Sequence, residues 1–262
     1  GASFIGFAGF TLVMPFLPLY FLELGVTDVG EIALWSGLTL GVTPAMTAVL
    51  GPLWGKLADR FGRKLMVERS IVSFVLIMAA MSWATEPWHV FGLRVVQGFF
   101  AGYGALALAM AAESAPAGKM ASAIGTVQTA QRLGPALGPV IGGAIATFVP
   151  LRQAFLVASA FYVVGFVLVL VLYREPPRAA RGAGRQAALP MRAVAGLPDM
   201  WRLMTVIFAI QFVERSFGPI LPLYLGSVAG AREDVALVSG VLFSLTAGAG
   251  AVGNVAAARW LA

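Results

Sequence analysis

Glu214 is the one carboxylate near the middle of a long apolar run, Met204–Val228. An acid in such a place is by default a functional candidate that takes up and releases a proton; the alternative is a structural ion pair with an arginine such as Arg94 or Arg132. Gln211 lies three residues earlier on the same helical face, whereas the adjacent Arg215 points about 100° away. Two further cations interrupt other apolar runs: Arg94 sits six residues into Trp88–Ala112, and Arg132 lies mid-run in Ala121–Val149. An arginine in hydrocarbon costs about 2.5–3.5 kcal/mol by insertion scales, so each must face protein, water or an acid. Glu214, Arg94 and Arg132 are thus the candidates for proton coupling. Gln128, Gln131 and Gln211 either line a cavity together with Phe10 and Met14 or hydrogen-bond between helices. There is no cysteine, and His89 is the only histidine. No metal site, cofactor or hydrolytic constellation is expected from such a set.

Two patterned stretches add mechanics rather than chemistry. Gly55-Lys56-Leu57-Ala58-Asp59-Arg60-Phe61-Gly62-Arg63-Lys64 falls where one apolar run ends and the next begins. Basic residues alone would be anchors at a membrane surface. Asp59 among Arg60, Arg63 and Lys64, with Gly55 and Gly62 as joints, suggests instead an ion pair or a carboxylate facing the positive end of a helix. In the second stretch Gly134, Gly138 and Gly142 recur every four residues and so share one helix face. Small residues let membrane helices approach closely. Pro135 and Pro139 bend that face, and Gly143 extends it.

These residues need long apolar elements to position them, and the chain supplies eight. The runs lie near Ser3–Leu24, Ile32–Trp54, Met66–Ala84, Trp88–Ala112, Ala121–Val149, Gln153–Tyr173, Met204–Val228 and Ala236–Ala258. Charged residues make up 11% of the chain and the mean hydropathy is +0.86, against about a quarter charged in soluble domains. About 20 apolar residues span a bilayer, and backbone satisfied internally makes these spans helices. The formal net charge is +6, but Arg and Lys cluster on alternate loops, including Lys56–Arg69, Lys119 and Arg174–Arg202. That is the positive-inside signature, and it places both chain ends in the cytoplasm and removes the need for a nucleic-acid partner.

Residues 174–199 read as a cytoplasmic linker rich in Pro and Arg, dividing a six-helix half, 1–173, from the first two helices of a second, 200–262. Pro15-Phe16-Leu17-Pro18-Leu19-Tyr20 recurs 204 residues later as Pro219-Ile220-Leu221-Pro222-Leu223-Tyr224. Lys56-Leu57-Ala58 meets Trp260-Leu261-Ala262 at the same offset, and Gly37 meets Gly240 one residue short of it. Such a repeat is expected of two parallel six-helix halves. The second half is expected to be truncated here, with about four spans beyond Ala262.

With its Gly55–Lys64 signature, Leu93-Arg94-Val95-Val96-Gln97-Gly98, the Gly134–Gly143 stretch and the Pro15/Pro18 pair, the chain resembles the major facilitator superfamily. Within it, the resemblance is to the bacterial twelve-span drug:proton antiporters, near the MdtG-like group, and covers spans one to eight. It implies an all-α polytopic bundle in the inner or plasma membrane. It also implies that Asp59 latches to a helix of the other half, that Arg94 sets the affinity of a proton or substrate site, and that the Gly134–Gly143 face is a sliding surface between the halves, as in antiporters.

The expected function is proton-coupled efflux of amphipathic small molecules by alternating access, with the protein a monomer in the lipid bilayer. A proton-coupled importer of a sugar or metabolite is the alternative within transport. A non-transporting receptor or scaffold would need neither a buried acid nor a glycine-lined face.

Overall fold

A computed structural model describes residues 2–116, 118–173, 199–229, 235 and 237–249. Among them the structure is helical. α1 (Ala2–Leu12), a 3-10 turn (Met14–Phe16) and α2 (Leu17–Glu23) form the first span. Then come α3 (Val29–Phe61), α4 (Arg63–Met81), α5 (Pro87–Phe100) and α6 (Tyr103–Ser114). α7 (Met120–Phe148), α8 (Leu151–Leu172) and α9 (Met200–Ala229) follow, with α10 at Leu237–Ala249. Four segments are long and apolar enough to cross a bilayer by length and composition: Phe4–Glu23, Val29–Phe61, Pro87–Ser114 and Leu151–Leu172. The other expected spans fall on α4, α7, α9 and α10. Residues 174–198, which hold nearly all of the expected linker, and 250–262, which hold the second copy of Lys56-Leu57-Ala58, lie outside the described residues.

Local chemistry sets the element ends. Asp28 caps α3, its carboxylate accepting from the Glu31 N–H at 2.8 Å, the preferred role of Asp at that position. Pro15 and Pro18 remove two donors from the first span, which breaks into α1, the turn and α2. The matching prolines of the repeat, Pro219 and Pro222, instead lie within the unbroken α9.

Two boundaries differ from the sequence expectation. α3 does not stop near Trp54; it runs on to Phe61, so Gly55, Asp59 and Arg60 lie on a helix and not in a loop. The joint is Gly62 alone, at φ 109°, a conformation that glycine adopts without the steric penalty of a Cβ. Span four is not one helix: α5 ends at Phe100, Ala101 is extended, and Gly102 is left-handed at φ 117°.

The helices pack as a bundle in which α1 lies against α7 and α8, α4 against α8, α5 and α6, and α3 against α5. An aromatic core forms between the 3-10 turn, α2, α4 and α8. Phe155 meets the Tyr20 ring at 4.8 Å and the Phe16 ring edge-on at 5.9 Å. Tyr20 is fully buried and its hydroxyl donates to the Met81 carbonyl at 2.7 Å, closing the end of α4. α9 touches the turn, α2 and α3. Its first stretch, residues 201–213, is exposed throughout.

Candidate functional site

Three sites take shape on this framework, and the first surrounds Arg94. Val90, Arg94, Gln97 and Gly98 form the buried stripe of α5, at the spacing of one helix face. Gly98 seats that stripe on α3; a Cβ there would meet the Thr43 carbonyl oxygen at 2.8 Å. Arg94 is entirely buried. Its Nη1 donates to Gln97 Oε1 at 3.1 Å, and its guanidinium lies 5.6 Å from the Phe10 ring centre. Thr43 Oγ1 donates to the Arg94 carbonyl at 3.0 Å. Tyr162 of α8 is fully buried and packs edge-on to Phe74 at 5.4 Å. Among the described residues, Arg94 Nε and Nη2, Gln97 Nε2 and the Tyr162 hydroxyl have no hydrogen-bond partner. Arg94 thus faces protein inside the first half. A buried cation without a carboxylate is expensive to maintain, and that expense is itself a functional sign.

The second site is a charge cluster at the basic end of the bundle. Arg63, at the start of α4, lies 3.8 Å from Asp59 of α3 and 3.0 Å from Glu113 near the end of α6. Lys64 lies 3.7 Å from Glu68 and donates to the Leu170 carbonyl of α8 at 2.9 Å, a cation at a helix C-terminus. Arg60 lies 5.3 Å from the Phe61 ring. Arg63 and Lys64 therefore tie the ends of four helices of the first half. Glu113 was not singled out from the sequence, because nothing local links it to Arg63, fifty residues earlier.

The third site is the glycine face of α7. Gly134, Gly138, Gly142 and Gly143 are buried, as is Pro139. At Gly134, Gly138 and Gly142 the face receives α1 of the same half, which corrects there the expectation of a surface between halves. A Cβ on Gly134 would stand 2.6 Å from Phe7 Cβ, one on Gly138 2.8 Å from the Ala8 carbonyl oxygen, and one on Gly142 would collide with the Leu12 carbonyl. Thr11 Oγ1 donates across to the Gly134 carbonyl at 3.2 Å. One described contact with the second half sits beside this face, where Gly240 of α10 abuts the Pro139 carbonyl and Val140.

The remaining predicted residues scatter. Gln131 is a strut, its Nε2 donating to the Gly104 carbonyl at 2.9 Å. Gln128, Arg132 and Gln211 are exposed, and Phe10 and Met14 are partly buried. Among the described ones, Phe10 lies beside Arg94. Glu214 belongs to α9, but its side chain and that of Arg215 lie outside the described residues.

A bundle of bilayer-length helices with buried charge and glycine-seated contacts defines a polytopic membrane protein. The chain belongs to the Major Facilitator Superfamily, whose family model matches residues 1–262. It is 35% identical over 246 residues to "Multidrug resistance protein MdtG" of Proteus mirabilis (strain HI4320), an alignment covering 92% of this chain and 60% of the relative. It is 33% identical over 245 residues to "Multi-drug resistance efflux pump PmrA homolog" of Lactococcus lactis subsp. lactis (strain IL1403), covering 93% and 60%. The chain thus spans about 60% of the length of these relatives. Among solved structures, a bacterial homolog of the human lysosomal transporter Spinster aligns with TM-score 0.77 at 19% identity, covering 94% of this chain and 57% of that one. A D-xylose-proton symporter aligns with TM-score 0.72 at 15% identity, covering 99% and 67%. These two share the fold, so this is the first six-helix half of that fold with the first two helices of the second.

Proposed function

We propose that the protein of which this chain is the sequence exports amphipathic small molecules in exchange for protons, by alternating access between two rocking halves. One observation carries the reading most directly: α7 meets α1 through Gly134, Gly138 and Gly142 and meets α10 of the second half at Gly240. Motion between the halves passes through the contact of α7 with α10 at Gly240, where a glycine lets two backbones slide without repacking, while the glycine-seated contact of α7 with α1 keeps the first half together. The two multidrug relatives favour export of mixed compounds over uptake of a sugar. The basic end, with Asp59, Arg60, Arg63 and Lys64, faces the cytoplasm, and both chain ends lie on that side. Glu214 carries the proton; Arg94 tunes the site from within the first half, and Arg132, Gln128, Gln211, Phe10 and Met14 contribute to the cavity wall. Asp59 latches the closed cytoplasmic side. The working unit is a monomer in the lipid bilayer of a bacterial inner or plasma membrane, with a first half at 1–173, a linker at 174–199 and a second half beginning at 200.

Dye movement in inverted vesicles bearing the native protein tests this. A proton gradient should drive dye accumulation, and Glu214→Gln and Asp59→Asn should each abolish or strongly slow it. Gradient-driven movement in the opposite sense would make the protein an importer. Normal transport by both variants would remove their assigned roles.

A further inference from the structure

The broken span four leaves a helix end in the middle of the bundle, and three side chains from other helices close on it. A helix terminus exposes carbonyls without intrahelical partners and carries roughly half a negative charge. At the end of α5 those carbonyls include Phe99 and Phe100. Trp54 Nε1 of α3 donates to the Phe99 carbonyl at 2.7 Å. Ser70 Oγ of α4 donates to the Phe100 carbonyl at 2.7 Å, and Arg69 Nη2 donates to the same oxygen at 3.0 Å. The Arg69 guanidinium also lies 3.4 Å from the Trp54 ring centre and 5.4 Å from that of Phe100. Trp54 packs edge-on to Phe99 at 5.6 Å. Among the described residues Arg69 forms no ion pair; its charge is directed at a helix end and an indole face. Beyond the clamp the chain turns through Ala101 and Gly102 into α6, which ends beside Arg63 through Glu113.

We propose that Arg69, Trp54 and Ser70 are positioning residues for transport. They hold the carbonyl end of α5 fixed against α3 and α4, so that any relative motion of α5 and α6 is confined to the Ala101–Gly102 break and is felt at the Glu113–Arg63 pair. This rests on the transport reading above. The clamp needs a planar cation that lies flat on an aromatic ring while donating sideways, which a guanidinium does and an ammonium does only in part.

The test uses the native protein in liposomes, with dye efflux normalised to folded molecules, and a nitroxide pair at Val96→Cys and Ser114→Cys across the break. Residues 1–262 contain no cysteine, and any cysteine elsewhere in the native protein is replaced by serine before labelling. In Arg69→Met the maximal rate should fall about tenfold, as expected for loss of a charge-assisted hydrogen bond, while the half-saturating dye concentration stays unchanged. Arg69→Lys should recover part of the rate. The nitroxide distance should switch between two values with dye or pH in the unsubstituted protein and collapse to one broad distribution in Arg69→Met. If Arg69→Met lowers only thermal stability, with the rate per folded molecule and the distances unchanged, the residue is a brace and the proposal is overturned. If the unsubstituted protein moves no dye, the transport reading fails by itself. The clamp is then judged by the pH-driven distances alone, and an identical distribution in Arg69→Met overturns it.

Discussion

Arg94 is held by shape more than by charge. It shares a buried helix face with Val90, Gln97 and Gly98 and meets a phenyl ring, and among the described residues no acid pairs with it. A fully buried cation in that setting stabilises the fold weakly or not at all. Arg94→Met should therefore leave the midpoint of thermal unfolding unchanged or raise it, while gradient-driven dye efflux is lost. A large drop in stability would show that the charge is structurally paired. The glycines behave in the opposite way. Gly142→Ala drives a methyl group into the Leu12 carbonyl, whereas an added Cβ at Gly125, on the same helix, meets nothing within 4 Å. Gly142→Ala should lower stability by about 1–3 kcal/mol, the usual penalty of overpacking, and Gly125→Ala should be neutral by the same unfolding measurement. The spacing of Gly134, Gly138 and Gly142 was legible in the sequence because a helix repeats every four residues. Their partner, α1, was not, since nothing local encodes which backbone will fill the groove. Tyr162 and Trp54 escaped notice for the same reason: each acts on a helix remote from its own.

The helices show what a single glycine does to an element. Gly62 separates α3 from α4, and Gly102 separates α5 from α6. Hydropathy marks both neighbourhoods as apolar or basic but cannot pick out, from 31 glycines, the ones that adopt positive φ. Helical spans were therefore readable, while the continuation of α3 to Phe61 and the break of span four were not. The consequence at the basic end is that Asp59, Arg63 and Glu113 sit on three rigid rods and not on a flexible loop. Glu113→Gln removes the shorter of the two Arg63 pairs. Because both side chains retain some contact with solvent, at 19% and 17%, the stability loss should stay at or below about 1 kcal/mol. Reactivity of a cysteine placed at Ser114 toward a water-soluble maleimide should nonetheless rise severalfold. Unchanged reactivity would mean that the pair does not hold α6 in place.

At the level of the whole molecule, the repeat that divides the chain is preserved in sequence and altered in shape. Pro15 breaks the first span into two helices and a turn, while Pro219 lies in a continuous α9 of 30 residues. Sequence identity between the copies therefore conveys the plan of two similar halves but not the local bend, which depends on the neighbours packed around each proline. The glycine contacts of α7 are made largely within the first half, whereas buried polar atoms there, among them Arg94 Nε and Nη2 and the Tyr162 hydroxyl, have no hydrogen-bond partner among the described residues. Residues 201–213 of α9 are exposed all round, including Trp201 at 71% and Phe208 at 69%.

The 33 residues of α3 make a rod about 50 Å long, against a hydrocarbon layer of about 30 Å. Tilt of the size seen in membrane helices absorbs only part of that excess. The rest must stand clear of the acyl chains, and the end where Asp59 meets Arg63, charged and open to solvent at 36% and 19%, is suited to do so. Raising the salt concentration on that face should then loosen the bolt between them without disturbing the dry, glycine-seated joint deeper in the membrane.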